Sequence, residues 1–554
     1  MTVGRREFLG LAGVIAATVG MPAAIPQRRR EVKGATTLER TLVPGRVIRE
    51  GELRDYRAVA EADGEPHVVR DDLAEARAGR EARRRSLVSF AHLTDQHVID
   101  VQSTTRVEFL DRYADGGCGD VLPLASSHRP HEAASARIAD AMLRQIRAIG
   151  AAPVSGEPLQ AAICTGDNTD NLQGNELETF LGLMNGSELT GAPITPQSGD
   201  DDEYEGVQRS GDRAYWHPDR AGAGEEDYYK TLFGFPDVPG WLEQALAPFE
   251  AVGVGMPWFS CYGNHDGLAQ GTSPVLLPLQ LIAESGLKVV GVPDHVPCHD
   301  LEAPSLVLDQ LTALGAPAMW VAADSRRQYV SRRDWMRAHL DSPGSPHGHG
   351  FAEDNVDGDV AYYVHDVGEV RWIVLDTVNP GGLSNGSIGR RQLDWLAERL
   401  AEADEERKLV LLFSHHGPRS LDNPLQTPGP DGADLPRHTA DDVLAVVAEH
   451  PCVVAWVNGH THENLVTARE GRFWDVGTAA HVDWPAQSRL VEVFDNGDGT
   501  LSLFTTMVDH ADDDVATPSR ELAANDPQHG FDKGTGSRTD RNAELLLPHP
   551  FATA

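Results

Sequence analysis

Five short polar segments of the sequence carry aspartate, asparagine and histidine side chains at close spacing. They are Asp95-Gln96-His97, Gly166-Asp167-Asn168-Thr169-Asp170, Gly263-Asn264-His265-Asp266, His415-His416 and Gly459-His460-Thr461-His462. Imidazole, carboxylate and amide oxygen are ligands that suit divalent metals of borderline hardness, such as Mn, Fe and Zn. The set contains no cysteine, which disfavours a structural zinc site. One such segment occurs by chance in many chains, so the interpretation as a metal centre depends on all five occurring together.

Each polar segment follows a run of apolar residues that is typical of a buried strand. These runs cover residues 86–93, 159–164, 257–262, 409–413 and 453–457. Apolar residues at helical spacing lie between the runs, at 133–149, 241–251, 391–403 and 440–448. Strand, polar segment and helix therefore recur along the chain, and we predict an α/β sheet with its chemistry at the strand ends.

Two further stretches indicate antiparallel strands. Residues 360–378 have Gly368 near their middle, and residues 472–508 hold Asn496-Gly497-Asp498-Gly499 between apolar runs. Parallel and antiparallel segments together predict a four-layer αββα sandwich, in which two mixed β-sheets are flanked by helices and interrupted by long loop insertions.

The remaining sequence suggests the limits of this domain. We expect an N-terminal extension over residues 25–85, a domain over 86–510 and a polar C-terminal tail over 511–554. Insertions at about 195–240 and 268–355 interrupt the domain. They would lie above the site as a lid that sets specificity.

Residues 1–24 have the features of a twin-arginine export signal. Arg5-Arg6 precedes an apolar stretch from Leu11 to Met21, and Pro22-Ala23-Ala24 offers small residues for cleavage. The stretch is short and glycine-containing for a membrane span, and a buried N-terminal helix is the alternative. We therefore expect export through the twin-arginine translocase, a secreted or cell-envelope location, and no stable transmembrane span in the mature protein.

The formal net charge of -36 at pH 7 restricts the partners of the protein. Nucleic acid and anionic membranes are bound through Lys and Arg, so we expect no binding of a nucleic acid duplex. An anionic substrate would need local positive charge, which bound metal ions would supply.

The five cysteines are too few for a disulfide framework in 554 residues. Cys164, Cys261 and Cys452 lie in apolar runs and are expected to be buried. Cys118 and Cys298 lie in polar sequence and could pair in an oxidising compartment.

The five segments, in this order, resemble the motif set of the calcineurin-like metallophosphoesterase superfamily over about residues 86–465. The signal, extension and insertions resemble an exported bacterial branch of it. The resemblance implies that Asp95, His97 and His462 hold one metal ion. It implies that Asn264, His415 and His460 hold a second ion and that Asp167 bridges both. His416 is the alternative to His415.

The resemblance also implies a reaction, in which two divalent ions activate a water that attacks phosphorus in line. His265 and Asp95 are the expected catalytic pair. His265 would assist the leaving oxygen, and Asp95 or Asp266 would orient its ring and raise its pKa. The alternative role of His265 is to support the neighbouring ligand Asn264. Asp170 stands where purple acid phosphatases carry a tyrosine, so we expect no purple ferric centre.

A small phosphodiester or a nucleotide-type molecule is the first substrate hypothesis. It rests on Gly-Asn-His-Asp and His-His, which stand in place of the arginine-containing motifs of the protein phosphatases. An extracytoplasmic phosphomonoesterase that scavenges phosphate is the alternative enzyme. A non-catalytic, metal-binding envelope protein is the alternative from a different class.

Overall fold

The computed structural model describes nine stretches of the chain. They are residues 35–113, 127–197, 207–209, 211–219, 226–275, 277–292, 315–428, 434–469 and 472–552. All of them belong to one compact unit, Val32–Ala554. The predicted signal, residues 1–24, lies outside the described residues, as do Cys118 and Cys298.

Nineteen β-strands are present in the described residues. In chain order they are β1 (Arg40–Arg49), β2 (Tyr56–Asp63), β3 (Val68–Arg70), β4 (Arg85–Leu93), β5 (Ala161–Cys164), β6 (Trp258–Ser260), β7 (Leu287–Val289), β8 (Ala318–Trp320), β9 (Tyr363–Val367), β10 (Val370–Val374), β11 (Ile388–Gly389), β12 (Leu409–Phe413), β13 (Arg437–His438), β14 (Val453–Asn458), β15 (Leu465–Arg469), β16 (Phe473–Gly477), β17 (Gln487–Asp495), β18 (Thr500–Asp509) and β19 (Ala543–Pro548).

Twelve α-helices are present in the same residues. They are α1 (Ser135–Ile149), α2 (Gly174–Asn185), α3 (Ser187–Thr190), α4 (Tyr228–Phe233), α5 (Trp241–Leu246), α6 (Asn264–Gly267), α7 (Leu277–Ala283), α8 (Arg332–Asp341), α9 (Glu353–Gly358), α10 (Arg390–Glu406), α11 (Ala440–Glu449) and α12 (Ala516–Asn525). Among these helices, none combines the length and the apolar composition needed to cross a lipid bilayer.

The strands form two large mixed sheets. One has seven strands in the order β3-β19-β18-β17-β4-β5-β6, and the other has six in the order β15-β16-β14-β12-β10-β9. Strands β4, β5 and β6 are parallel, as are β10, β12, β14 and β16. Since parallel strands end at the same edge of a sheet, the loops that follow them meet there.

The two sheets pack face to face through aromatic side chains. Phe90 of β4 lies with its ring centre 5.1 Å from that of Trp372 on β10 and 5.5 Å from that of Phe413 on β12. All three side chains are fully buried, so this contact forms the centre of the core.

Helices cover the outer faces of both sheets. In α10, Leu393, Leu396 and Leu400 follow helical spacing and pack in one cluster with Val443 of α11 and Leu412 of β12. Helices α1 and α2 join the hydrophobic cluster that contains β5. The predicted four-layer αββα sandwich of two mixed sheets is therefore confirmed.

The C-terminal segment differs from the prediction of a polar tail. Strand β19 lies inside the seven-stranded sheet, between β18 and β3, and Leu545 is fully buried. Strand β3, from the predicted extension, pairs in parallel with β19. The predicted domain limits, 86 and 510, are therefore too narrow. A single short apolar run in polar sequence gave too little signal to identify the strand.

The insertions contain their own elements in the described residues. The predicted insertion 268–355 holds α7, the antiparallel pair β7 and β8, and α8, and the one at 195–240 holds α4. Their role as a lid stays a prediction.

Leu545→Ala should lower the free energy of unfolding by about 2–5 kcal/mol, because it leaves a cavity in the core of the seven-stranded sheet. Leu53→Ala is the control, since Leu53 is 71% exposed and its loss should change stability by less than about 0.5 kcal/mol. Equilibrium urea unfolding measures both. Equal unfolding curves for the two variants would contradict the placement of β19 in the sheet.

Candidate metal centre

The five polar segments meet where the strand ends of the two sheets come together. The Asp95 carboxylate Oδ1 lies 3.2 Å from His462 Nε2 and 3.9 Å from His97 Nε2. The Asp167 carboxylate Oδ2 lies 3.7 Å from His97 Nε2 and 3.1 Å from His415 Nε2. Asp167 thus stands between two groups of side chains, which is the place expected for a bridging ligand.

The other two predicted ligands adjoin these carboxylates. Asn264 opens α6, and the backbone N–H of the next residue, His265, donates to Asp167 Oδ1 at 2.8 Å. The backbone N–H of His460 donates to Asp95 Oδ2 at 3.0 Å. The His460 ring centre is 5.1 Å from that of His415. The structure therefore brings all seven predicted ligand residues to one place.

Buried polar atoms without well-aligned hydrogen bonds mark the interior of this site. Asp95 Oδ1, His97 Nε2, Asn264 Oδ1 and His415 Nε2 are buried and make no well-aligned hydrogen bond among the described residues, and the short contacts of Asp95 Oδ1 and His415 Nε2 are only to other predicted ligands. Such atoms cost free energy unless something binds them. The opposite atoms of these groups are bonded, as Asn264 Nδ2 donates to the Gly271 carbonyl at 2.9 Å. The four buried atoms are all ligand types that suit divalent metal ions, and they fit two such ions.

The electrostatics of the site favour positive charge. Burial opposes a charge on the imidazoles, yet Asp167 raises the pKa of His415 to about 9. In the same way, Asp95 and Asp483 raise the pKa of His462 to about 10 against the effect of burial. Two nearly inaccessible carboxylates therefore attract cations strongly, whether these are protons or metal ions.

The backbone at the site adopts a conformation that is rare outside glycine. Asp95, His97, Asp167, His460 and His462 have φ angles of 52°, 43°, 50°, 67° and 56°. Non-glycine residues in this left-handed region are strained and are concentrated at functional sites. Five of the seven predicted ligands share this strain, which indicates that the positions of their side chains are under functional constraint.

Two motif glycines allow the loops to touch. A Cβ atom at Gly263 would overlap the backbone nitrogen and the carboxylate of Asp167. A Cβ atom at Gly459 would overlap the side chains of Thr94 and Asp95. Each glycine thus lets the loop of one strand lie directly against a ligand from another strand.

The choice between His415 and His416 follows from their ring nitrogens. Both nitrogens of His416 are bonded, to the Thr377 hydroxyl and the Ser384 carbonyl, each at 2.8 Å. His415 Nδ1 contacts the Thr165 carbonyl at 2.8 Å, which leaves Nε2 pointing into the site. The structure therefore favours His415 as the ligand.

The surroundings of His265 differ from the expectation. Its Nδ1 lies 2.5 Å from the backbone carbonyl of Asp170, so neither Asp95 nor Asp266 orients the ring. The Asp266 carboxylate instead accepts backbone N–H groups of its own loop and of Thr169. Burial lowers the pKa of His265, although Asp167 and Asp170 partly oppose the shift. The sequence could not show this, because the burial of a side chain is not visible in a motif.

Three other acidic and imidazole groups near the motifs have structural partners. Asp376 pairs with Arg332 at 2.9 Å. His481 donates its backbone N–H to the Asp95 carbonyl at 3.1 Å, while its ring Nε2 bonds Ser488. Asp170 Oδ1 contacts His97 Nδ1 at 3.2 Å.

Asp483 lies at the site but belongs to none of the five motifs. This buried carboxylate contacts His462 Nδ1 at 2.5 Å and is itself held by Arg129. Arg129 lies 354 positions away in the chain, and no local pattern connects the two residues.

Comparisons with known proteins find partial matches to phosphohydrolases. A manganese-dependent ADP-ribose/CDP-alcohol diphosphatase from Xenopus tropicalis is 38% identical over 83 residues, which are 15% of this chain and 21% of the relative. The Homo sapiens protein of the same name is 34% identical over 92 residues, which are 15% of this chain and 25% of the relative. The match thus spans only about a fifth to a quarter of the length of these relatives. No family model matches the chain.

Among solved structures, a dimetal phosphatase from Danio rerio aligns with 77% of this chain and 100% of its own, at 12% identity and a TM-score of 0.34. A purple acid phosphatase from yellow lupin aligns with 82% of this chain and 54% of its own, at 11% identity and a TM-score of 0.27. The sequence matches to metal-dependent diphosphatases, together with the five motifs, support a resemblance to the calcineurin-like metallophosphoesterase superfamily.

Proposed function

We propose that this protein is a phosphoesterase that uses two divalent metal ions to hydrolyse phosphate esters. The observation that carries the proposal is the pair of ligand groups that share Asp167, in which four buried ligand atoms make no well-aligned hydrogen bond among the described residues. When bound, two divalent ions supply an activated water and neutralise charge on the phosphate.

The chain's own residues would bind these ions and the substrate. Asp95, His97 and His462 form the first metal position, and Asn264, His415 and His460 form the second, with Asp167 between them. His265 lies at the opening of the site, since 20% of its side chain is exposed. Its Nδ1 is held by a carbonyl, which can only accept, so that Nε2 is left to contact the substrate. In that position the doubly protonated ring would donate its Nε2 proton to the leaving oxygen.

A nucleotide-type substrate is the best-supported choice. The matched relatives are named for ADP-ribose and CDP-alcohols and for manganese dependence, which favours Mn²⁺ and a phosphate bond joined to a nucleoside. A small phosphodiester belongs to the same hypothesis, and a phosphomonoester is the alternative. The charge of -36 disfavours duplex nucleic acid as a substrate.

We also propose that the protein is exported through the twin-arginine route and acts outside the cytoplasm. Arg5-Arg6 and the apolar stretch after it support this location. Sequencing the N-terminus of protein recovered outside the cytoplasm would test it, and an intact Met1 there would contradict cleavage.

Removal and return of metal tests the proposed function directly. The full chain, stripped with a chelator, should lose turnover and regain it with Mn²⁺, at about two ions per chain. ADP-ribose, a CDP-alcohol, bis-p-nitrophenyl phosphate and p-nitrophenyl phosphate would be compared. Fastest turnover of p-nitrophenyl phosphate would select the phosphomonoesterase. A chain that binds no metal and turns over none of the four would select the non-catalytic alternative.

Asp167→Asn should reduce turnover by more than about 100-fold and lower the metal content, because it removes the charge shared by both positions. Asp376→Asn is the matched control, since Asp376 pairs with Arg332 away from the ligands. Elemental analysis and turnover are measured for both variants. Normal metal content and rate in Asp167→Asn would exclude a bridged two-metal site.

His265→Ala should slow esters with poor leaving groups more than p-nitrophenyl esters, because a good leaving group needs little help from Nε2. Rates for an alkyl ester and a nitrophenyl ester of the same phosphate are compared, with metal content as the control. An equal loss for both esters, together with a loss of metal, would assign His265 to the support of Asn264.

A further inference from the structure

The two metal positions differ in what lies behind their imidazole rings. At the first position, both rings contact carboxylates: His97 Nδ1 lies 3.2 Å from Asp170 Oδ1, and His462 Nδ1 lies 2.5 Å from Asp483 Oδ2. A carboxylate accepts from the Nδ1 N–H of each ring, so each Nε2 faces the site, where it would bind a metal ion after releasing any proton that it carries.

At the second position, both rings contact neutral oxygen atoms. His415 Nδ1 lies 2.8 Å from the Thr165 carbonyl, and His460 Nε2 lies 3.1 Å from Asn385 Oδ1. The Asn385 amide is oriented by its own donation to Asp422 Oδ1 at 2.7 Å. The same ligand type, imidazole, therefore has a charged partner at one position and a neutral partner at the other.

Buried arginines hold both carboxylates in place. Arg106 Nε donates to Asp170 Oδ2 at 2.9 Å, and Arg129 Nη2 donates to Asp483 Oδ2 at 3.1 Å. Each aspartate is therefore held between a buried guanidinium on one side and a histidine ring on the other.

Glu132 connects the two sets of contacts behind the rings, Arg106–Asp170–His97 and Arg129–Asp483–His462. Glu132 accepts from Arg106 Nη1 at 3.0 Å and from Arg106 Nη2 at 3.1 Å, and it accepts the backbone N–H of Arg129 at 3.0 Å. Glu132 is 2% exposed and Arg106 is 1% exposed. A single buried network thus fixes the orientation of both rings at the first position.

We propose that the first metal position binds its ion before the second position and more tightly, and that Asp170 and Asp483 are the positioning residues that cause the difference. A carboxylate behind a histidine increases the basicity of the ring and fixes its orientation, and the loss of such a partner typically weakens metal binding about 10- to 100-fold. The first position also has Asp95 as a direct ligand, whereas the second shares only Asp167. This inference rests on the proposed function, because it assumes that both positions hold metal.

The test measures metal binding and not turnover. The chelator-stripped full chain is titrated with Mn²⁺ by calorimetry, and electron paramagnetic resonance distinguishes a single bound Mn²⁺ from a coupled pair. We expect a single bound ion up to one equivalent and a coupled pair only above it. Early formation of coupled pairs, with equal affinities, would overturn the inference and leave the proposed function intact. A wild-type chain that binds no Mn²⁺ would overturn both.

Variants that keep only one complete metal position show whether Asp483 and Arg129 cause the difference. His460→Ala removes a ligand of the second position and keeps the first complete. His462→Ala removes a ligand of the first position and keeps the second complete. In the His460→Ala variant, Asp483→Asn combined with Arg129→Gln should weaken Mn²⁺ binding about 10- to 100-fold. In the His462→Ala variant, the same double substitution should change Mn²⁺ binding less than about threefold. The double substitution avoids an unpaired buried arginine, and circular dichroism checks the fold.

A reciprocal exchange tests the same cause on the rim of the site. Asn385→Asp combined with Asp422→Asn keeps one hydrogen bond between these residues but places a carboxylate behind His460. In the His462→Ala background, this pair should strengthen Mn²⁺ binding about tenfold or more. The inference would be overturned if this exchange did not strengthen Mn²⁺ binding and if Asp483→Asn with Arg129→Gln did not weaken it in the His460→Ala variant. The hydrogen-bond partners of the rings would then not cause the difference in affinity between the two positions.

Discussion

Negative charge buried between the edges of two sheets is the constraint on which this structure depends. Asp95 and Asp167 are 0% and 2% exposed, and an ionised carboxylate in such surroundings is tolerated only beside positive charge. Imidazoles supply part of that charge, and the free ligand atoms leave room for metal ions. The loops that carry these groups come from both sheets. Each sheet must therefore end its parallel strands at the same edge, and the Phe90–Trp372 contact holds the sheets in that alignment.

The sequence predicted most of the scaffold and the seven candidate ligand residues that meet at the site, but not Asp483 behind His462. Strand β12 was predicted at 409–413 and lies there, because a fully buried strand is a local apolar run with clear limits. The ligands could be found because each follows such a run by a few residues. The left-handed conformation of Asp95 or His462 was not predictable, since it is imposed by contacts between distant loops.

What the sequence could not reveal depends on distance along the chain. Arg129 and Asp483 meet only after the chain has folded, and neither lies in a recognisable motif. The ring of His265 was expected beside a carboxylate but contacts a main-chain carbonyl, which has no sequence signature. Strand β19 completes its sheet from a segment whose composition resembles a solvated tail. In each case the missing information is a long-range contact, not a residue preference.

The glycines at positions 263 and 459 have a consequence for how such a protein can diversify. Because each admits a neighbouring loop at backbone distance, the five motif loops fit together as an interlocking set. A change in the path of one loop would displace a ligand that belongs to another, so the set can change only as a whole. Novelty in substrate choice is therefore expected to arise in the segments between the motifs, whose lengths are not limited by this fit. The segments between the motifs would then determine the substrate, while Gly263 and Gly459, which have no side chain, keep the arrangement of the ligands unchanged.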